Sequence, residues 1–235
     1  MFERSSEAEA ISAYAKERGV SRLVHFTPFL NLLGIFTTGG IMPKDCVLAY
    51  ARSHQEEDLL AYIRWNDALR LDRRTDCVNL SIQGINEPLF RRFKANFPQG
   101  EPWCIIEIDP VCLQKNGVLF AVANAAATAV RLKGTRSGLW GLKALFAESV
   151  TVSKAYGVET CRRDASVARN RPTSIQAEVL FPGKIPLSLI RGLLFETRDG
   201  AVRARAMLQN EVPKAELPEI KVVPSEFAEH SKEGE

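Results

Sequence analysis

Residues 172–181, PTSIQAEVLF, set one carboxylate, Glu178, inside a run that otherwise reads as a buried strand. Glutamate is depleted from strands and is rarely buried without a partner. Either its side chain faces water from a half-exposed strand, or it is held inward for chemistry. Gln176 lies two residues earlier, and on a strand residues i and i+2 share a face, so the spacing predicts that Gln176 and Glu178 project together.

Three other stretches place polar groups in apolar surroundings. In VHFTPFLNLLGIFTTGGI, His25 and Thr27 close a predicted strand just before a helix, whose first-turn amides could meet a phosphate or a ribose hydroxyl. A capping threonine and a hydrogen-bonded core histidine would give the same pattern. In NDALRLDRRTDCVNLSI, Arg70, Arg73 and Arg74 alternate with Asp67, Asp72 and Asp76, which also describes a solvated charge run. In VLFAVANAAATAV, Asn124 is a lone amide among small residues, and a turn explains it equally well.

Composition narrows the chemistry. The 235 residues are 46% hydrophobic and 25% charged, an ordinary globular balance. A net charge of +3 permits a nucleic-acid partner without indicating one. The five cysteines are scattered without the spacing of a zinc or redox motif and read as reduced thiols of a cytoplasmic protein. There is no phosphate-loop motif, dinucleotide fingerprint, H-E-x-x-H or nucleophile elbow. With three histidines in all, chemistry must rest on carboxylates, arginines and one or two histidines, with no metal. MFERSSEAEA is charged at once, so no secretory signal is expected, and no window is apolar enough to span a bilayer.

The elements that must position these groups follow from caps and periodicity. SSEAEAISAYAKERG predicts a helix capped by Ser5 or Ser6 and stopped at Gly19. SRLVHF predicts a strand, and PFLNLLGIFTTGG a helix opened by Pro28. HQEEDLLAYIRW has a helical apolar face, whereas DCVNLSI and WCIIEID are β-branched strands bounded by turn residues. Residues 83–102 predict a loop with a helical turn, and NAAATAVRLKGTRSGLWGLKALFAE a helical run ending near Glu148. Residues 157–173, basic and aperiodic, predict a surface loop before the strands IQAEVLF and LIRGLLFET. Residues 1–210 then form one mixed α+β domain, and 211–235 a loosely attached or disordered tail with one extended segment at IKVV.

Taken together, LVHFTPFLNLLGIFTTGGI, RLDRRTDCVNLSI, FAVANAAA and PTSIQAEVLFPGKIPLSLI resemble, in order, the successive blocks of the DarT-like DNA ADP-ribosyltransferase toxins. The resemblance runs from about residue 20 to 197 and is most specific in its last block. It implies an ADP-ribosyltransferase-like fold, a split mixed sheet flanked by helices around an NAD cleft. It implies Glu178 as the catalytic glutamate, with Arg70 beside NAD and the target base and Arg73 as second choice. His25, Thr27 and Asn31 would sit in the NAD site. Asn124 would lie close to the active site, and the loop at about 157–175, with Arg162, Arg163, Arg169 and Gln176, would meet the DNA. NAD would be a co-substrate, the DNA single-stranded and the partner a macrodomain-type antitoxin. RNA or protein as target, or a degenerate binding module, are the competing readings.

Overall fold

The protein is described here by a computed structural model covering residues 2–55, 60, 63–65, 73–126, 135–154 and 157–228. Helix α1 spans Ala8–Arg18 and ends on Gly19 in the left-handed conformation, φ 77°, which glycine adopts without penalty. Its N-cap is Glu7, not a serine; Ser5 instead accepts a hydrogen bond from the Glu7 amide. Strand β1 is Leu23–Pro28, so Pro28 closes the strand, and α2 begins only at Asn31 and runs to Thr37. Strand β2 (Gly40–Ile41) leads to α3, Lys44–His54, which polarity concealed in the sequence. Half of HQEEDLLAYIRW, residues 56–59, 61 and 62, lies outside the described residues, as do Asp67, Arg70 and Asp72.

Strands β3 (Cys77–Ile82) and β4 (Trp103–Ile108) fall on the two β-branched runs. Between them stands a full helix, α4 (Glu87–Ala95), where one turn was expected. Its signals are the Asn86 cap, which accepts from the Leu89 amide, and Pro88 in the first turn. Strands β5 (Leu119–Ala121) and β6 (Arg136–Ser137) precede α5, Gly138–Ala144.

The basic stretch is not one loop. Ser149–Lys154 (β7) and Gly157–Arg162 (β8) form an antiparallel hairpin, and only the part from Arg163 onward is irregular. Strand β9 starts at Glu178 itself and ends at Pro182; β10 is Ile185–Pro186 and β11 is Ile190–Phe195. A helix absent from the sequence reading, α6 (Arg198–Glu211), is capped by Thr197. In the described part of the expected tail, residues 211–228, β12 (Glu219–Val222) pairs in parallel with β11, and Phe227 is buried.

Eight strands form one mixed sheet in the order β12-β11-β4-β1-β3-β9-β5-β6. Strands β1 and β4 pair over six residues, but β1 and β3 share only Leu23↔Ile82 and Val24↔Ser81 before they diverge. The sheet therefore splits beyond Val24, and the separation begins at His25. An aromatic cluster of Phe90, Trp103 and Phe227 with Phe26 and Phe93 packs beside one half. Ala121, Ala123, Val150 and Leu180 pack beside the other. None of the described helices is long and apolar enough to cross a membrane.

Candidate active site at the split in the sheet

A cavity of about 760 Å³ lies at the split, a size suited to a cofactor or drug-sized ligand. Its floor is His25 and Thr27 from β1, Val78, Asn79 and Ser81 from β3, and Glu178 from β9. Helices α2 and α3 contribute Asn31, Lys44 and Tyr50, and a further wall comes from Ile63, Arg64 and Trp65.

Glu178 is 3% exposed, so of the two readings of that carboxylate the inward one holds. Its Oε2 accepts from the Ala125 backbone amide at 3.0 Å, and the Asn79 side-chain nitrogen approaches the same oxygen at 3.5 Å. Fixed N–H donors hold a carboxylate in one orientation. Gln176 does not accompany it. The strand begins two residues later, and residues 174–177 form a turn in which the Ser174 hydroxyl accepts from the Gln176 amide. Gln176 is absent from the cavity wall.

His25 bridges the split. Its Nδ1 lies 2.9 Å from the Asn79 carbonyl oxygen. A carbonyl only accepts, so Nδ1 carries the hydrogen, and in the neutral ring Nε2 is an acceptor. Thr27 is buried, and its hydroxyl accepts from the Asn31 side chain at 2.9 Å. Asn31 does more than line the cavity. Its amide donates to the Arg64 carbonyl and accepts from the Arg64 N–H, both at 2.9 Å. One primary amide thus fastens the 63–65 wall to α2. Lys44 stands over the Trp65 ring at 5.7 Å, a second tie across the same wall.

The other sequence candidates scatter. Arg70 lies outside the described residues. Arg73 is exposed, takes φ 57° and is absent from the cavity wall. The neighbouring Arg74 pairs with Asp76 at 2.8 Å and holds that carboxyl below its usual range. Asn124 behaves as a turn residue, its side chain accepting from the Ala126 amide at 2.8 Å, yet the turn it shapes delivers the Ala125 N–H to Glu178. Arg163 is spent on its own loop: its guanidinium donates to the carbonyls of Ala168 and Arg171 at 2.8 and 2.9 Å. It shapes the loop instead of facing solvent, whereas Arg162 and Arg169 are exposed, Arg169 lying 3.6 Å from Glu17. Asn79, Lys44 and Trp65 went unnoticed in the sequence; a polar residue at the centre of DCVNLSI was the available signal for Asn79.

A mixed sheet split around a cavity, with a buried glutamate leading a late strand, is an ADP-ribosyltransferase-like architecture. A family model described as ssDNA thymidine ADP-ribosyltransferase, DarT, matches residues 24–228, and the chain belongs to that family. The match extends through the C-terminal strand, beyond the limit near residue 197 expected from sequence blocks. Among solved structures, the chain is similar to Thermus sp. 2.9 DarT in complex with NAD+, with TM-score 0.57 and 15% identity over 88% of this chain and 98% of that one. The same protein in complex with ADP-ribosylated ssDNA gives TM-score 0.56 and 16% identity over 89% and 97%. Thermosipho africanus DarTG in complex with ADP-ribose gives TM-score 0.55 and 12% identity, covering 88% of this chain and 51% of that one. At these identities the likeness establishes the fold. No curated protein matches the chain in sequence.

Proposed function

We propose that the protein transfers ADP-ribose from NAD to a thymine of single-stranded DNA, with Glu178 facing the ribose whose bond breaks. The observation that carries this reading is a buried carboxylate with a fixed orientation in the wall of a cavity of about 760 Å³. The residues present fit the dinucleotide: an apolar cavity, a histidine with an acceptor nitrogen, and the cations Lys44 and Arg64 in the wall. His25 Nε2 would accept from a ribose hydroxyl, and Lys44 and Arg64 would meet the pyrophosphate. Arg70, the sequence-level choice beside NAD, retains that role as a proposal.

In the reaction, the bond from ribose C1′ to the nicotinamide nitrogen breaks, and its electron pair leaves with nicotinamide. The sugar passes through an oxocarbenium-like state, as in glycoside cleavage. Glu178 stabilises that positive charge more than it stabilises neutral ribose, which is the differential binding that catalysis requires. A ring nitrogen of thymine closes the new bond, with loss of one proton. N1 is already bonded to deoxyribose, which leaves N3. That atom lies inside a paired duplex, so an unpaired strand is the accessible substrate.

Supporting this reading further are the family membership and the fold shared with DarT structures that hold NAD+ and ADP-ribosylated DNA. The cellular setting proposed with it is a cytoplasmic toxin countered by a macrodomain-type partner that removes the modification. The test is incubation with NAD and thymine-containing oligonucleotides, read by intact mass. Glu178→Ala should stay folded and lose about 10²–10³ in transfer rate. Transfer at the wild-type rate by that variant would remove the proposal.

A further inference from the structure

Ser81 is a buried polar residue of the cavity wall. It is 8% exposed, and its hydroxyl has no hydrogen-bond partner among the described residues. A hydroxyl buried in this way keeps its desolvation cost uncompensated until something fills the space it faces.

The strand register fixes its neighbours. Val24 pairs with Ser81, and Leu80 pairs with Val179, so the next step of the ladder sets Ser81 opposite Glu178. Successive residues of a strand alternate between the two faces of a sheet. Leu80 and Val179 belong to the main core on one face; Val24 and Phe26 pack on the other, the face of Ser81 and Glu178. Side chains directly opposed on one face have β carbons about 4.5–5.5 Å apart. Val24, Phe26 and Phe93 complete this corner of the cavity, the two rings lying 6.1 Å apart. The corner is an apolar slot with one neutral hydroxyl, and it abuts the carboxylate.

Position along the cavity selects the occupant. The Asp45 amide at the start of α3 donates to the Thr75 carbonyl at 3.0 Å, which puts Lys44 near the Cys77 end of β3. Ser81 is four positions further on, about 13 Å of extended chain. The cavity therefore runs along β3 from Lys44, past Asn79 and His25, to Ser81 and Glu178. A dinucleotide with its pyrophosphate at Lys44 and its scissile ribose at Glu178 carries one group beyond that ribose, nicotinamide. A flat ring bearing a neutral amide suits an apolar slot with a hydroxyl, whereas a carboxylate on that ring would be repelled by Glu178.

We propose that Ser81 donates to the carboxamide oxygen of nicotinamide and so seats the leaving group beside Glu178. This rests on the transfer reaction proposed above and assigns a residue to the part of NAD that departs. The same hydrogen bond is present before and during bond cleavage, so it contributes to binding and not to kcat.

The experiment compares wild type and Ser81→Ala with NAD and with the analogue whose nicotinamide carboxamide is replaced by hydrogen. With NAD, Ser81→Ala should raise KM about two- to tenfold, and the inhibition constant of free nicotinamide by a similar factor. Neither kcat nor KM for the oligonucleotide should change. With the analogue, Ser81→Ala should bring no further loss. The melting temperature without ligand should hold or rise, because the hydroxyl bonds nothing in the free protein. An equal loss with both dinucleotides would overturn the proposal, as would an unchanged KM for NAD or a lowered melting temperature. If wild type modified no oligonucleotide, the transfer reaction itself would fall. Isothermal titration of NAD, the analogue and nicotinamide into both proteins would then decide the role of Ser81 alone.

Discussion

The two halves of the sheet meet at β1 and β3 through two residue pairs, whereas β1 and β4 are joined by six. One half, β12-β11-β4-β1, has the interlocked aromatic cluster of Phe26, Phe90 and Trp103 behind it, with ring centroids 5.3–6.1 Å apart. The other, β3-β9-β5-β6, packs Ala121, Ala123, Val150 and Leu180 on one face and brings Glu178 and Asn79 to the gap. The difference is a division of labour. Where the ladder is continuous, side chains fill space; where it is interrupted, polar groups from both edges face each other across a cavity. His25 to the Asn79 carbonyl is one contact that spans the interruption.

That contrast can be broken from either side. The largest effect should come from the aromatic half. Trp103→Ala should cost about 3–5 kcal/mol of unfolding free energy, measured by urea titration, because it leaves a cavity among rings that cannot collapse. Its kcat under folding conditions should stay near wild type; a selective loss of catalysis at unchanged stability would mean that the halves are not separable.

Next comes the wall of the gap. Asn31→Ala removes both bonds to Arg64, each contributing about 0.5–1.5 kcal/mol net. KM for NAD should rise about five- to a hundredfold with kcat changed far less, and trypsin should cut after Arg64 sooner. Unchanged KM and unchanged cleavage would show that the wall is held by something other than this amide.

The smallest effect is chemical. Cys77 lines the gap, and burial pushes its thiol up to about 11 despite the nearby Arg74. At pH 8 only about one molecule in a thousand carries the reactive thiolate. Alkylation of Cys77 followed by peptide mass should therefore be slow at pH 8 and accelerate about tenfold per pH unit toward 11. Rapid modification at pH 7 would contradict a dry, apolar wall on that side.

How much of this was legible in the sequence differed between the halves for physical reasons. Strands β3 and β4 announce themselves by β-branched runs with turn residues at both ends. Glu178 was readable because a carboxylate in an apolar strand is costly and needs a reason. Helix α6 was hidden because its buried positions are mostly alanine and glycine (Gly200, Ala201, Ala204, with Leu208), too weak a stripe against five charged neighbours. The hairpin β7–β8 was obscured by the arginines that follow it, although SVTVSK alternates at a strand period. Strand β12 was legible only as an extended segment at IKVV; three prolines hid its pairing as a parallel edge strand beside β11. Asn31 was expected to touch the dinucleotide. No single-sequence signal reveals that its partner is the backbone of Arg64, 33 residues away.

The order of the strands carries a further consequence for how this chain is made. Strand β9, with its acid, inserts between the earlier strands β3 and β5, whereas β11 adds beside β4 and is followed by β12 at the edge. A ribosome releases β3, β4 and β5 first, so a nascent chain halted before residue 178 lacks both Glu178 and the strand that joins its neighbours. Such non-local pairing is slow to close. With Glu178 in the role proposed above, the enzyme is inert throughout most of its own translation.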